Sequence, residues 1–157
     1  MMNQKIDILR TRPSWIAVDP KAIQENARII MQYTGAKQLI AVVKANAYGF
    51  GAVATVKALY EIGVRDFAVA TIAEAAILRQ ANTNYDFQIL LLGVQDVSFV
   101  DIMVAYHLSP AVGNLNWLQE AIKLIPEGKV LEVQLAIDTG TVSYTHLRAH
   151  ETEADIV

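Results

Sequence analysis

The chain has 157 residues, which is enough for one domain with a hydrophobic core, and 54% of them are apolar. The net charge of −3 gives no reason to expect a nucleic acid or an anionic membrane as partner, and the lack of cysteine excludes disulfides and thiolate catalysis. No apolar run is long enough to span a membrane, and no signal-peptide pattern opens the chain, so we expect a cytoplasmic protein.

The first predicted elements are a helix, a buried strand and a second helix. Asp19 and Pro20 form a helix start, because Asp can cap free amides and Pro fits the first helical position, and Gly35 ends this helix. The continuous apolar run 39–43 is short and rich in β-branched residues, which predicts a strand buried on both faces. A glycine-containing loop at 49–51 then leads into a helix over 53–62.

The same alternation continues to the end of the predicted fold. Strands are expected at 67–71, 87–92, 111–113 and 131–137. Between them we expect helices at 75–81, 97–107 and 117–125. Thr71 and Glu74 make a capping-box sequence for the first of these helices, and Asn114 or Asn116 can cap the last.

Strands that alternate with helices at this spacing predict parallel βαβ units, since a parallel crossover needs a helix-sized connection. The order fits either a doubly wound sheet or a (β/α)₈ barrel, and five units are too few to close a barrel of eight strands. No GxGxxG follows the first strand, which counts against a dinucleotide-binding sheet.

The strongest chemical feature is the segment 41–51, in which Lys44 follows a buried strand. The carboxyl ends of barrel strands form the active-site face, and desolvation there would favour the neutral amine that attacks carbonyl groups. Tyr48, four residues later, could reach an anionic group held near Lys44. The alternative is that Lys44 is only the charge at which the strand meets water.

The run VVKANAYGFG resembles the signature around the cofactor lysine of alanine racemases, which usually reads VVKANAYGHG. Further matches in the same order extend the resemblance over about residues 12–140, and they are RPSW at 12–15, VD at 18–19, AVA at 68–70, EA at 74–75, ILLLG at 89–93 and DTG at 138–140. The resemblance implies a partial (β/α)₈ TIM-type barrel of about five βα units, part of a pyridoxal-phosphate-binding barrel that a separate β-rich domain follows.

The resemblance also implies roles for individual residues. Lys44 matches the lysine that holds pyridoxal 5′-phosphate as a Schiff base and serves as the base on one face of the substrate. Tyr48 matches the tyrosine that hydrogen-bonds the phosphate, and Leu90 and Leu92 match apolar positions of the cofactor pocket. Alternatively, the two leucines could simply pack in the hydrophobic core, and this alternative applies above all to Leu90.

Two positions depart from the family pattern. Phe50 stands where histidine is commonest, which removes a polar group near the cofactor but leaves Lys44 and Tyr48 in place. Ala136 stands where many members carry a carbamylated lysine that orients an arginine, so that arginine would be held in another way.

The implied function is the interconversion of L- and D-alanine, an isomerase reaction that supplies D-alanine for a bacterial cell wall. The expected partners are alanine as substrate and a second subunit, whose C-terminal domain would supply the base for the opposite face. A broad-specificity amino-acid racemase of the same fold is one alternative, and a pyridoxal-phosphate-binding barrel without catalysis is another. We expect the 157-residue chain by itself to be inactive.

After Gly140 the sequence no longer follows the family pattern. Val142 to Thr152 fit, as eleven consecutive residues, the translation of a common transposase-type sequencing adapter. We therefore expect an incomplete racemase barrel domain over 1–140 and a non-native tail over 141–157. His146, His150 and Glu151 could mimic a metal site, but they fall in this tail, and no metal is expected.

Overall fold

The computed structural model describes residues 16–137. The predicted tail at 141–157, Trp15 and the DTG motif at 138–140 therefore lie outside the described residues. The helical segments are α1 (Pro20–Thr34), α2 (Lys44–Tyr48), α3 (Ala52–Glu61), α4 (Ile72–Ala81), α5 (Val100–Ala105) and α6 (Leu115–Leu124). The strands are β1 (Ile40–Val42), β2 (Asp66–Val69), β3 (Gln88–Leu91), β4 (Leu108–Val112) and β5 (Gln134–Leu135).

All five strands are parallel, and they lie in the sheet in the order in which they occur in the chain. A doubly wound sheet reverses its strand order at a switch point, whereas a (β/α)₈ barrel adds each strand beside the previous one. The structure therefore confirms the partial-barrel prediction over the doubly wound one. Within residues 16–137, β1 and β5 are the two edges of the sheet.

The two faces of the sheet differ in burial, as the two-residue period of a strand requires. One face packs under the helices and forms the core, and its side chains are almost wholly buried: Val43, Phe67, Val69, Ile89, Leu91 and Leu108. The other face carries Ile40, Val42 and Leu90, which are exposed or half-buried, so the prediction that β1 is buried on both faces is wrong for residues 16–137. This open face is the one that points into the interior of a barrel.

The helix starts follow the sequence prediction closely. Asp19 accepts a hydrogen bond from the backbone N–H of Lys21 at 2.9 Å, and Pro20 is the first residue of α1. Asn114 caps α6 by accepting from the N–H of Asn116 at 2.8 Å. These bonds satisfy amides that have no partner inside the helix, which fixes where each helix begins.

Two regions differ most from the sequence prediction, the segment from α5 to β4 and the last strand. The helix predicted over 97–107 is a 3₁₀ turn (Val97–Phe99) followed by the short α5, and β4 begins at Leu108 rather than at residue 111. The backbone of His107 adopts a left-handed φ of 51°, which ends the helix and turns the chain into the strand. The strand predicted over 131–137 is reduced to Gln134–Leu135, because β5 pairs on one side only.

The helix end before β4 is held by the side chain of Arg79. The Arg79 guanidinium donates to the backbone carbonyls of Tyr106 (2.9 Å), Phe87 (2.7 Å) and His107 (2.8 Å). Burial lowers the pKa of Arg79, and the nearby carboxylate of Asp86 raises it in part. Arg79 thereby ties α4 to the ends of α5 and β3.

Over residues 16–137, no helix is long and apolar enough to cross a membrane. The same residues hold no cluster of three or more His, Cys, Asp or Glu side chains that could bind a metal ion.

Candidate active site

Lys44 lies where the sequence predicted it, directly after β1 at the carboxyl end of the sheet. The preceding residue, Val43, is 2% exposed and donates its backbone N–H to the carbonyl of Ala68 at 2.8 Å. Lys44 lies at the same edge of the sheet as Ala70 and Leu92, the residues that directly follow β2 and β3. Lys44 is half-buried, so the described residues do not by themselves form the dry pocket that we expected around its amine.

The segment after Lys44 is a turn of left-handed helix, where we had predicted a loop. Ala45, Asn46 and Ala47 have φ of 51°, 54° and 53° with ψ of 47°, 45° and 48°, and Tyr48 has φ of 54°. This conformation costs about 1–2 kcal/mol per residue for L-amino acids, because Cβ approaches the following carbonyl oxygen. Such strain persists only where surrounding contacts fix it, and it is concentrated at functional sites.

Hydrogen bonds inside residues 43–52 close this turn. The N–H of Ala47 donates to the carbonyl of Val43 at 2.9 Å, and the N–H of Gly51 donates to that of Asn46 at 2.9 Å. The side-chain oxygen of Asn46 accepts from the N–H of Ala52 at 2.8 Å, which joins the turn to the start of α3. Gly51 has φ of 92°, a value that favours glycine and that lets the chain leave the turn.

Tyr48 stands on the outside of this turn, with 62% of its surface exposed. A left-handed turn has as many residues per turn as its right-handed mirror image, so residues 44 and 48 lie on the same side of it. Most of the Tyr48 side chain is therefore accessible to solvent on the side of the turn where Lys44 lies.

The two leucines predicted to line the cofactor pocket lie on the open face of β3 and just beyond it. Leu90 pairs in register with Ala68, and Leu92 follows two residues later; both are half-buried. Level with Leu90 lies Ala68 of β2, and Ala70 follows just beyond that strand. Both side chains are small, and the two leucines contribute apolar surface beside them.

A carboxylate that the sequence identified only as a helix cap links the two loops at this edge. Glu74 Oε1 accepts from the N–H of Ala45 at 2.8 Å, and Oε2 accepts from the N–H groups of Ala70 (2.9 Å) and Thr71 (3.2 Å). Thr71 in return accepts from the N–H of Glu74, which confirms the predicted capping box. A capping box uses only one carboxylate oxygen of its glutamate. That the second oxygen remains available for another donor was the only hint in the sequence of a contact with Ala45.

A second side chain extends this connection to the loops after β3 and β4. The Gln95 amide donates to the carbonyls of Gly93 (2.8 Å) and Ala70 (3.3 Å), and its backbone carbonyl accepts from Trp117 Nε1 at 2.8 Å. Trp117 is partly buried and packs against the core. No signal in the sequence pointed to Gln95, because its partners Ala70 and Trp117 are 25 and 22 residues away along the chain.

These residues fit pyridoxal phosphate in the chemistry of their donors. An aldehyde needs a primary amine, and Lys44 supplies one; a phosphate needs a hydrogen-bond donor, and Tyr48 supplies one. An aromatic ring needs an apolar wall with space beside it, which Leu92 and Ala70 offer.

Comparison with known proteins decides the family. The profile of the family described as "Alanine racemase, N-terminal domain" matches residues 18–142. The chain belongs to the alanine racemase family. Members of this family are isomerases that depend on pyridoxal phosphate, and their N-terminal domain is an α/β barrel. The resemblance and the fold class inferred from the sequence are thereby confirmed.

Individual proteins of the family are also similar to the chain in sequence and in structure. The chain is 38% identical over 130 residues to the alanine racemase of Pediococcus pentosaceus, and the match covers 82% of the chain and 34% of that protein. It is 39% identical over 129 residues to a lysine racemase of Oenococcus oeni, with coverage of 82% and 34%. The crystal structure of the alanine racemase from E. faecalis superposes with a TM-score of 0.76 at 38% identity and covers 84% of the chain and 36% of that structure. The chain therefore spans about a third of the length of these relatives.

Proposed function

We propose that the intact protein, at the length of its relatives, interconverts L- and D-alanine with pyridoxal phosphate bound through Lys44. The observation that supports this proposal most strongly is the position of Lys44 just after β1, at the carboxyl end of the parallel sheet of a racemase barrel segment. When bound, pyridoxal phosphate supplies an electron sink for the negative charge left when the α-proton of the amino acid departs.

Each residue of the site then has a distinct task. The Nζ atom of Lys44 holds the cofactor and takes or returns the α-proton on one face of the substrate. Tyr48 Oη donates a hydrogen bond to the phosphate and so orients the ring. Leu92, and less directly Leu90, exclude water from one side of the cofactor. Racemisation needs a second base on the opposite face, and we propose that a partner subunit of a homodimer supplies it.

Tyr48→Phe in the intact protein should weaken pyridoxal phosphate binding and leave racemisation largely intact at saturating cofactor. A hydrogen bond to a charged group is worth about 1.5–3 kcal/mol, which corresponds to a dissociation constant raised about 10- to 150-fold. Titration of the apoprotein with cofactor measures this directly. Tyr33→Phe is a matched control, because Tyr33 is 91% exposed and lies in the last turn of α1. Equal cofactor affinity in Tyr48→Phe and wild type would contradict the phosphate role.

The substrate is the finer part of the proposal. Most of the relatives with similar identity are named alanine racemases, which favours alanine. The lysine racemase of Oenococcus oeni, at 39% identity, supports a broad-specificity amino-acid racemase as the second candidate. The test supplies the intact protein with L-alanine and with L-lysine and measures the D-enantiomer formed from each. Preferential turnover of alanine is expected; turnover of lysine at equal or higher kcat/KM would establish the second candidate, and turnover of neither would refute the proposal.

We also propose that the racemase sequence ends near Gly140 and that residues 141–157 are foreign to it. The support is the eleven-residue fit of Val142 to Thr152 to a translated sequencing adapter. Amplification of the gene from source DNA should read a different sequence after Gly140 and continue into the rest of a barrel. A native gene that encodes Val142 to Thr152 and stops after Val157 would contradict this.

A further inference from the structure

The left-handed turn α2 (Lys44–Tyr48) needs contacts from outside itself, because its own residues do not favour it. Ala45 and Ala47 have no side-chain group that stabilises a positive φ, and isolated L-residues adopt this conformation rarely. The hydrogen bonds within residues 43–52 close the turn but do not orient it relative to the sheet. A contact to a neighbouring element is required for that.

Glu74 supplies this contact. Within residues 16–137, it is the one side chain from outside residues 43–52 that hydrogen-bonds the backbone of the turn, and it reaches across 29 positions of sequence to the N–H of Ala45. That N–H belongs to the peptide unit that joins Lys44 to Ala45. A carboxylate that holds this peptide unit fixes the backbone on the carboxyl side of Lys44, and with it the direction in which the lysine side chain leaves.

The anchor of Glu74 is itself well defined. Its second oxygen accepts from Ala70 and Thr71 at the start of α4, and the Thr71 hydroxyl accepts from the N–H of Glu74 in return. The carboxylate therefore receives three N–H groups from the loops after two adjacent strands. Two acceptor oxygens allow this, whereas a glutamine amide has one acceptor oxygen and would present its NH₂ group to one of the two loops.

We propose that Glu74 is a positioning residue for Lys44: its carboxylate bridges the peptide unit after Lys44 to the start of α4 and so aims the lysine amine at the cofactor. The positioning role rests on the proposed function, because it requires that Lys44 binds the cofactor. The hydrogen-bonded bridge between Ala45 and the start of α4 does not depend on that function. Helix capping alone would need one oxygen and would leave Ala45 without a partner from another element.

The first experiment measures residue-resolved amide hydrogen exchange in the 157-residue chain and in two variants. Glu74→Gln keeps the size of the side chain and a capping acceptor, since glutamine also serves in a capping box. We expect exchange at Ala45 to rise about tenfold or more, while Ala70 and Thr71 change by less than about threefold. Thr71→Ala is the matched control, because it removes the hydroxyl half of the box and should accelerate exchange at Glu74 without affecting Ala45.

Three outcomes of this experiment would contradict the proposed bridge between Glu74 and Ala45. Unchanged exchange at Ala45 in Glu74→Gln would do so, as would an equal rise at the buried strand residue Ile89, which would show that the carboxylate supports only the fold. Absence of protection at Ala45 in the wild-type chain would do so as well.

The second experiment tests positioning in the intact protein by trapping pyridoxal phosphate with borohydride and comparing the label on Lys44 with that on the exposed Lys57. Glu74→Gln should lower the share on Lys44 about tenfold relative to wild type, and Thr71→Ala should leave it within about threefold. An unchanged share in Glu74→Gln would overturn the positioning role. Absence of label on Lys44 in the wild type would instead refute the proposed function, and the exchange experiment would still decide the bridge.

Discussion

Lys44→Ala should abolish both covalent binding of pyridoxal phosphate and racemisation in the intact protein. The amine holds the cofactor and moves the proton on one face, and loss of a positioned acid–base group alone costs about 10²- to 10⁴-fold in rate. Loss of cofactor attachment should add to this, so we expect turnover to fall at least about 10³-fold. The measurement is D-alanine formation at saturating cofactor.

Lys37→Ala is the matched control, because Lys37 is exposed and precedes β1 at the opposite end of the same strand. This variant should retain the activity of the wild type. If Lys44→Ala retained turnover within about tenfold of wild type, the lysine would be neither the cofactor residue nor a catalytic base.

Arg79→Met should produce a large loss of stability without touching the site. The substitution removes three charged hydrogen bonds to the carbonyls of Phe87, Tyr106 and His107, and leaves those carbonyls without their donor. The guanidinium also lies over the ring of Phe87, 4.7 Å from its centre. Each charged hydrogen bond contributes about 1.5–3 kcal/mol, but half-exposure weakens the sum, so we expect the free energy of unfolding to fall by about 2–4 kcal/mol.

Arg28→Met provides the control for charge and length. Arg28 lies on the exposed side of α1 and pairs with Glu25 at 3.4 Å, a surface ion pair that contributes at most about 1 kcal/mol. Urea unfolding of the two variants measures the difference. Equal midpoints for Arg79→Met and Arg28→Met would show that Arg79 does not fasten α4 to the ends of α5 and β3.

Much of the fold could be predicted from the sequence, because its signals are local. The buried strands read as short apolar runs between turn residues, and the capping residues Asp19, Thr71 and Asn114 name their helix starts directly. Alternation of the two element types then implies parallel strands. The position of Lys44 at a strand end follows from the same local pattern, although its task came from the family resemblance.

The parts that were missed depend on contacts between distant residues. Nothing in Ala45 or Ala47 favours a left-handed backbone, so the turn could not be read from them, and it is held by Glu74 from another βα unit. The early start of β4 depends on the left-handed conformation of His107, which histidine adopts more often than most residues but still in only a small minority of cases. Both cases are conformations that tertiary contacts impose against local preference.

The most direct test of the central claim is the site of cofactor attachment in the unmodified intact protein. Incubation with pyridoxal phosphate, reduction with borohydride and peptide mapping should place a single stoichiometric label on Lys44, in the peptide that contains the KANAYG sequence. Label on another lysine, or none at all, would contradict the assignment of this chain's active site.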